Sequence, residues 1–223
     1  MNFWFLAFPD ISKPVGGVKQ LHRSAEIISS LGFNSYVVQE DPSFSPDWFS
    51  SSVNTISRAN FLALNLDFYA DYIVLPETFI GALEIIHPHI RKIIFNQNCG
   101  YTFGLPNTNF PSPPEVIRLY HHESIRQIWT VSKNDYNSLK SILSSRQDCL
   151  YHIVNGLEVE DFPQLKNKKR LISYMPRKHG DHAQIVISLL KSSAILSGWD
   201  FYMIKNLPHH QVLDVLNNSF LFL

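Results

Sequence analysis

Short apolar runs that alternate with helix-patterned segments constrain this chain more than any other feature. Phe3-Trp4-Phe5-Leu6-Ala7-Phe8 is the first run. Val18, Leu21, Ala25, Ile28 and Leu31 follow at spacings of three and four, one face of a helix, and Gly32 suits its end. Further strand-type runs are centred on Val37, Ile73, Ile93, Ile128 and Ile153. Strands apolar throughout need cover on both faces, which points to an α/β fold with a parallel sheet between helical layers.

Between the first run and the first helix stands Pro14-Val15-Gly16-Gly17-Val18-Lys19-Gln20-Leu21-His22. The first N–H groups of a helix lack internal partners and carry the positive end of its dipole. Glycine there lets the backbone approach a phosphate with no side chain between. Gly16 and Gly17 are therefore candidates for contact with a diphosphate or sugar, and equally for a tight turn without a ligand.

Taken in order, the expectations are these. Ser35–Gln39 is a second strand and residues 41 to 60 an irregular excursion. Tyr72–Leu75 is a third strand, followed by a short helix over Glu77–Ile90. Lys92–Phe95 is a fourth strand that runs into a polar loop, Asn96 to Tyr101, and Pro106–Pro114 is loop. Gln127–Val131 is a fifth strand, with Ser132 capping a helix to about Ser144. Leu150–Val154 is a sixth.

Periodicity is then lost and charge gained. This divides the chain into a Rossmann-like domain over 1–157, a linker over 158–169 and a second Rossmann-like unit over 170–223. The second unit reads as strand Leu171–Met175, helix His179–Lys191, strand Phe201–Ile204, a helix after Pro208, and strand Phe220–Leu223. It is too short for an independent α/β domain, so the expectation is an incomplete one.

Bulk properties narrow the function classes. The 223 residues balance 19 Lys and Arg against 19 Asp and Glu, so bulk charge gives no reason to expect a nucleic-acid partner. Cys99 and Cys149 form neither a disulfide framework nor a zinc pattern and fit a reducing, cytoplasmic compartment. No run reaches the roughly 20 apolar residues of a membrane span. Peripheral membrane contact stays open.

The run Val15-Gly16-Gly17-Val18-Lys19-Gln20-Leu21, with Leu31-Gly32-Phe33 after it, resembles the N-terminal loop and helix of glycosyltransferase family 4, of the GT-B fold. Leu171-Ile172-Ser173-Tyr174-Met175-Pro176-Arg177-Lys178 resembles the start of that family's second domain, and Pro208 to Leu223 its later helix and strand. The resemblance implies a retaining transferase that uses a nucleotide-sugar donor and a carbohydrate or lipid-linked acceptor. Arg177 and Lys178 match the basic pair that holds the donor diphosphate, a role that needs no metal. Gly16 and Gly17 would close over the same phosphates. The family's pair of glutamates beyond the last strand has no counterpart here, so the expectation is a transferase truncated within its C-terminal domain, its donor site incomplete and the chain alone inactive.

Other candidates come from position alone. Asn96, Gln97, Asn98 and Tyr101 follow the fourth strand, where α/β sheets place ligands, and are candidates for sugar or acceptor binding or simply a polar loop. His22 reads as a helix-face residue. His121-His122-Glu123 and His179 with His182 lack a third metal ligand. Glu77 and Glu84 lie in the wrong domain to be the family's acidic pair. Glu40, at the end of the second strand, stands where a ribose-binding acid would, which keeps an NAD(P)-dependent oxidoreductase as an alternative. A non-catalytic remnant or nucleotide-sugar-binding module is another.

Overall fold

The structure, a computed structural model, describes residues 1–104, 110–156, 168–176 and 180–223. The chain divides into two compact units, 1–155 and 156–223. Both are built on parallel sheets, as the α/β expectation requires.

The first unit carries β1 (Asn2–Leu6), α1 (Gly16–Ser30), β2 (Asn34–Gln39), β3 (Asn54–Ser57), α2 (Arg58–Leu62), β4 (Asp71–Pro76), β5 (Arg91–Asn96), α3 (Cys99–Thr102), α4 (Pro113–Tyr120), β6 (Ile125–Thr130), α5 (Lys133–Ile142) and β7 (Leu150–His152). Its strands lie in the order β3-β2-β1-β4-β5-β6-β7, every pairing parallel. The order reverses between β1 and β4, so the connections leaving their carboxyl ends diverge, the position where open α/β sheets take their ligands.

Side chains alternate between two apolar layers. Phe5, Leu21, Ala25, Val37, Val74, Ile93 and Phe95 pack beneath α1. Trp4, Leu6, Phe61, Ile73, Leu75, Ile94, Val116 and Ile128 fill the other face. Period-two alternation along each strand sends one set to each layer. Trp4 donates its indole N–H to the buried Asp71 at 2.9 Å, and Asp71 also accepts from Asn2, which fastens β1 to β4.

Three expectations change. The 41–60 excursion ends in β3 and α2, with the Ser57 hydroxyl accepting from Asn60 N. The short helix after β4 is a 3-10 segment, Glu77–Ala82, giving way to turns before Pro88. The proline-rich stretch starts α4, with Pro113 and Pro114 in its first turn, where a missing N–H costs nothing. The Ser132 cap is present: its hydroxyl accepts from Asp135 N at 3.1 Å.

The second unit holds β8 (Lys169–Tyr174), α6 (Gly180–Ser192), β9 (Asp200–Met203), α7 (His209–Asn218) and β10 (Ser219–Phe222). The sheet order is β10-β8-β9, again parallel. On α6 the buried residue is Ile187, while Ile185, Val186 and Leu189 face outward. No described helix is long and apolar enough to cross a membrane.

Candidate functional site

The carboxyl edge of the first sheet gathers the polar groups of this unit. Gly16 and Gly17 open α1 after β1, Glu77 follows β4, Gln97 and Asn98 follow β5, and Ser132 and Asp135 follow β6. Parallel strands force this, because every strand delivers its next loop to the same edge.

Two buried carboxylates organise that edge. Glu77 is 3% exposed and Asp135 is 5% exposed. Glu77 Oε2 accepts from Gln97 N at 3.1 Å, and its carboxyl also takes the Asn98 N–H. Asp135 Oδ1 accepts from Cys99 N at 2.8 Å. Three consecutive backbone N–H groups are thereby held by side chains from two other strand ends. Burial pushes the Glu77 carboxyl up to about 7, against the opposing pull of its N–H donors, and the charge of Asp135 adds to the rise. Glu77 therefore exchanges a proton near neutral pH while it holds the β5–α3 connection.

Gln97, held in this way, lies against the glycines. A Cβ on Gly17 would come within 3.2 Å of Gln97 Oε1, whereas one on Gly16 would meet open space. Of the two glycines, only Gly17 has a close neighbour, the far end of the Gln97 side chain, which would have to give by a few tenths of an ångström.

The other expected residues separate. Asn96 is not on a loop surface; it is the last residue of β5 and fully buried, and its amide donates to Thr102 Oγ1 at 2.9 Å and to Tyr120 OH at 2.8 Å. Asn98 caps α3, its Oδ1 accepting from Gly100 N at 2.9 Å. Tyr101 is exposed. Burial pushes the Cys99 thiol up, which disfavours a thiolate nucleophile. Arg177 and Lys178 lie outside the described residues.

Glu40 pairs with Arg58 at 3.0 Å across an exposed surface, so its carboxylate already has a partner. His121 bonds to Ile117 O and the Ser145 hydroxyl, and His122 to the Ser124 hydroxyl. Among the described residues no three His, Cys, Asp or Glu side chains cluster as metal ligands do. Sequence reasoning missed Glu77 and Asp135 as organisers. The available signal was their position, each just past the carboxyl end of an apolar strand.

Neither a family model nor the sequence of a curated protein matches the chain. Solved structures do match in fold. A sucrose-phosphate synthase from Thermosynechococcus elongatus superimposes with a TM-score of 0.59 at 8% identity, over 99% of this chain and 74% of its own. An alpha-glucosyltransferase in complex with UDP and a 13-mer DNA containing a HMU base matches with a TM-score of 0.54 at 11% identity, covering 98% of this chain and 71% of that one. An alpha-glucosyltransferase in complex with UDP gives 0.52 at 11% identity, over 99% of this chain and 72% of that one. These neighbours are GT-B glycosyltransferases, and the likeness is one of fold.

Proposed function

We propose that this chain binds a nucleoside-diphosphate sugar and transfers its hexose, with retention, to a carbohydrate or lipid-linked acceptor. The observation that carries this reading is the match of nearly the whole chain, both parallel-sheet units included, to glycosyltransferases, two of which hold UDP. The edge built from Gly17, Gln97 and Glu77 supports it, because it lies at the sheet's switch point.

In this reading the first turn of α1 approaches the donor phosphates, and Arg177 and Lys178 neutralise the charge that grows as the diphosphate departs. No metal is needed for that step. Gln97 and Tyr101 offer hydrogen bonding and stacking to a sugar, while Asn96 and Asn98 shape the connection that presents them. Glu77 is a positioning residue, since its oxygens hold backbone N–H groups.

Calorimetric titration with UDP, GDP and NAD tests the reading. Binding of a nucleoside diphosphate, with NAD silent, is the expected result. NAD binding, or no nucleotide binding at all, overturns it. Replacing Arg177 and Lys178 together by Ala should weaken diphosphate binding by about 2–4 kcal/mol; an unchanged affinity removes them from the site. Turnover assays with oligosaccharide, lipid-linked and DNA acceptors then identify the acceptor class.

A further inference from the structure

Asn155-Gly156 follows β7, and Asn155 is the last residue of the first unit. It is the one place in the sequence where asparagine precedes glycine. That pair has a chemistry of its own. The amide carbon of an asparagine side chain and the main-chain nitrogen of the next residue can close a five-membered ring. A glycine in the second position leaves that nitrogen unshielded, because no Cβ stands beside it. In a folded protein the ring closes only where neither secondary structure nor a hydrogen bond holds the two atoms apart.

Nothing among the described residues holds these two. Asn155 and Gly156 belong to no helix or strand, and both are exposed. Neither the Asn155 side chain nor the Gly156 N–H has a hydrogen-bond partner among the described residues. A Cβ on Gly156 would meet no atom within 4 Å. Chain segments of this kind, exposed and without backbone bonds, are where covalent change concentrates.

The contrast with similar pairs is sharp. Three asparagines precede serine, another small residue: Asn34, Asn137 and Asn218. Asn34 opens β2 and donates its amide to Asn2 Oδ1 at 2.9 Å. Asn137 lies inside α5, where main-chain N–H groups bond four residues back. Asn218 ends α7 and donates its amide to Asp214 O at 2.8 Å. Each is held in an element that leaves its side chain or the next nitrogen little freedom. Asn155 is not.

We propose that Asn155-Gly156 is a self-modifying site, at which the chain converts Asn155 to aspartate and isoaspartate through a cyclic imide, with water as the co-reactant. Hydroxide takes the proton of Gly156 N, and the nitrogen attacks Asn155 Cγ. The new N–Cγ bond forms as the bond from Cγ to the amide nitrogen breaks, and that nitrogen leaves with a proton as ammonia. Water then opens the imide. Cleavage of the N–Cγ bond restores the ordinary main chain with an aspartate side chain. Cleavage at the main-chain carbonyl carbon leaves the chain running through Cβ and Cγ, as isoaspartate. One amide and one water become one acid and one ammonia, with no oxidation or reduction. Both products carry a new negative charge, and isoaspartate lengthens the main chain by one carbon where the first unit ends. The proposal does not depend on the transferase reading.

The test is a timed incubation of the full chain at neutral pH, folded and in urea. Digestion under mildly acidic conditions stops further ring closure, mass spectrometry maps the converted residues, and enzymatic methylation of isoaspartyl carboxyls counts the isomerised share. The folded chain should convert Asn155 within about tenfold of its rate in urea and ahead of Asn34, Asn137 and Asn218, with isoaspartate among the products. Gly156→Ala, which the open space around Gly156 accommodates, should slow conversion at least about tenfold. Asn155→Gln keeps an amide but would need a six-membered ring, and should yield no isoaspartate there. Melting curves check that both variants keep the parent's fold. The proposal is overturned if folding slows Asn155 by more than about tenfold, or if Gly156→Ala slows it by less. It is also overturned if any of the three serine-preceding asparagines converts faster, or if no isoaspartate forms at Asn155.

Discussion

The two units share one grammar, parallel strands joined through helices, and differ in what that grammar buries. In the first, Phe5, Leu6, Val37, Ile73, Val74, Leu75 and Ile94 have no exposed surface, because α1 covers one face of the sheet and α2, α4 and the 3-10 segment cover the other. In the second, the buried apolar side chains among the described residues are Ile172, Ile187 and Ile204, at 2%, 5% and 3% exposure. Phe220 and Phe222 of β10 stay half exposed or more, as do Ile185 and Leu189 of α6, and Leu221 is 45% exposed. An apolar strand stabilises a fold only to the extent that layers remove it from water. The same strand pattern is therefore worth much more in the first unit than in the second.

The largest test of that difference is a pair of core truncations. Phe5→Ala opens a hole in the layer under α1 and should cost about 3–5 kcal/mol, whereas Phe222→Ala, whose ring is 50% exposed, should cost under about 1 kcal/mol. Denaturant titration of the two variants checks this. Hydrogen exchange should show β1, β4 and β5 protected to the global limit and β8 to β10 opening at lower free energy. Uniform protection across both units, or equal costs for the two variants, would break the comparison.

A smaller effect separates two regions within the first unit. Glu77 is raised in the fold from 4.5 to about 7, so its contribution to stability is complete below about pH 4.5 and is lost as pH climbs through 7. The size is on the order of 3 kcal/mol. His22 runs the other way. Its folded value of about 4 lies below the ordinary 6.5, so its contribution is complete above 6.5 and is lost as pH falls toward 4. In the parent the two slopes oppose each other across the shared acid window. Glu77→Gln should expose the His22 slope, with the melting temperature falling on acidification. His22→Phe should expose the Glu77 slope, with the melting temperature rising. Melting curves from pH 4 to pH 8 that are parallel for all three proteins would refute both assignments.

The smallest expected effect compares the two glycines. Gly16→Ala points into open space, and Gly17→Ala presses on Gln97 at 3.2 Å. Neither should change stability by more than about 1 kcal/mol, since alanine's helix preference offsets the crowding. Only Gly17→Ala should weaken UDP binding, about tenfold in a calorimetric titration. Equal losses would place the ligand against both positions, and no loss would remove this edge from the donor site.

Much of the architecture was legible in local pattern. The spacing of Val18, Leu21 and Ala25 gives α1, the apolar runs give the central strands, and Ser132 marks the start of α5. The pieces that escaped are short or override their composition. β3 and α2 sit in a Ser- and Pro-rich stretch, and α4 begins with two prolines that a simple reading takes for loop. The site was legible only in part, because position past a strand end marks a candidate but does not say which way its side chain turns. Asn96, Gln97 and Asn98 are adjacent in sequence, yet one is buried, one faces Gly17 and one caps a helix.

The sequence alone determined the α/β class, the parallel sheets and the glycines at the mouth of α1, since these follow from apolar periodicity and from backbone sterics within a few residues. Only the tertiary structure decided that Glu77 and Asp135 together hold the loop after β5 and that Asn96 is an internal tie. Each of these joins residues from different strands, and their meeting depends on the order β3-β2-β1-β4-β5-β6-β7. Strand order is set by the long-range burial of whole faces, which the local pattern of no single segment records.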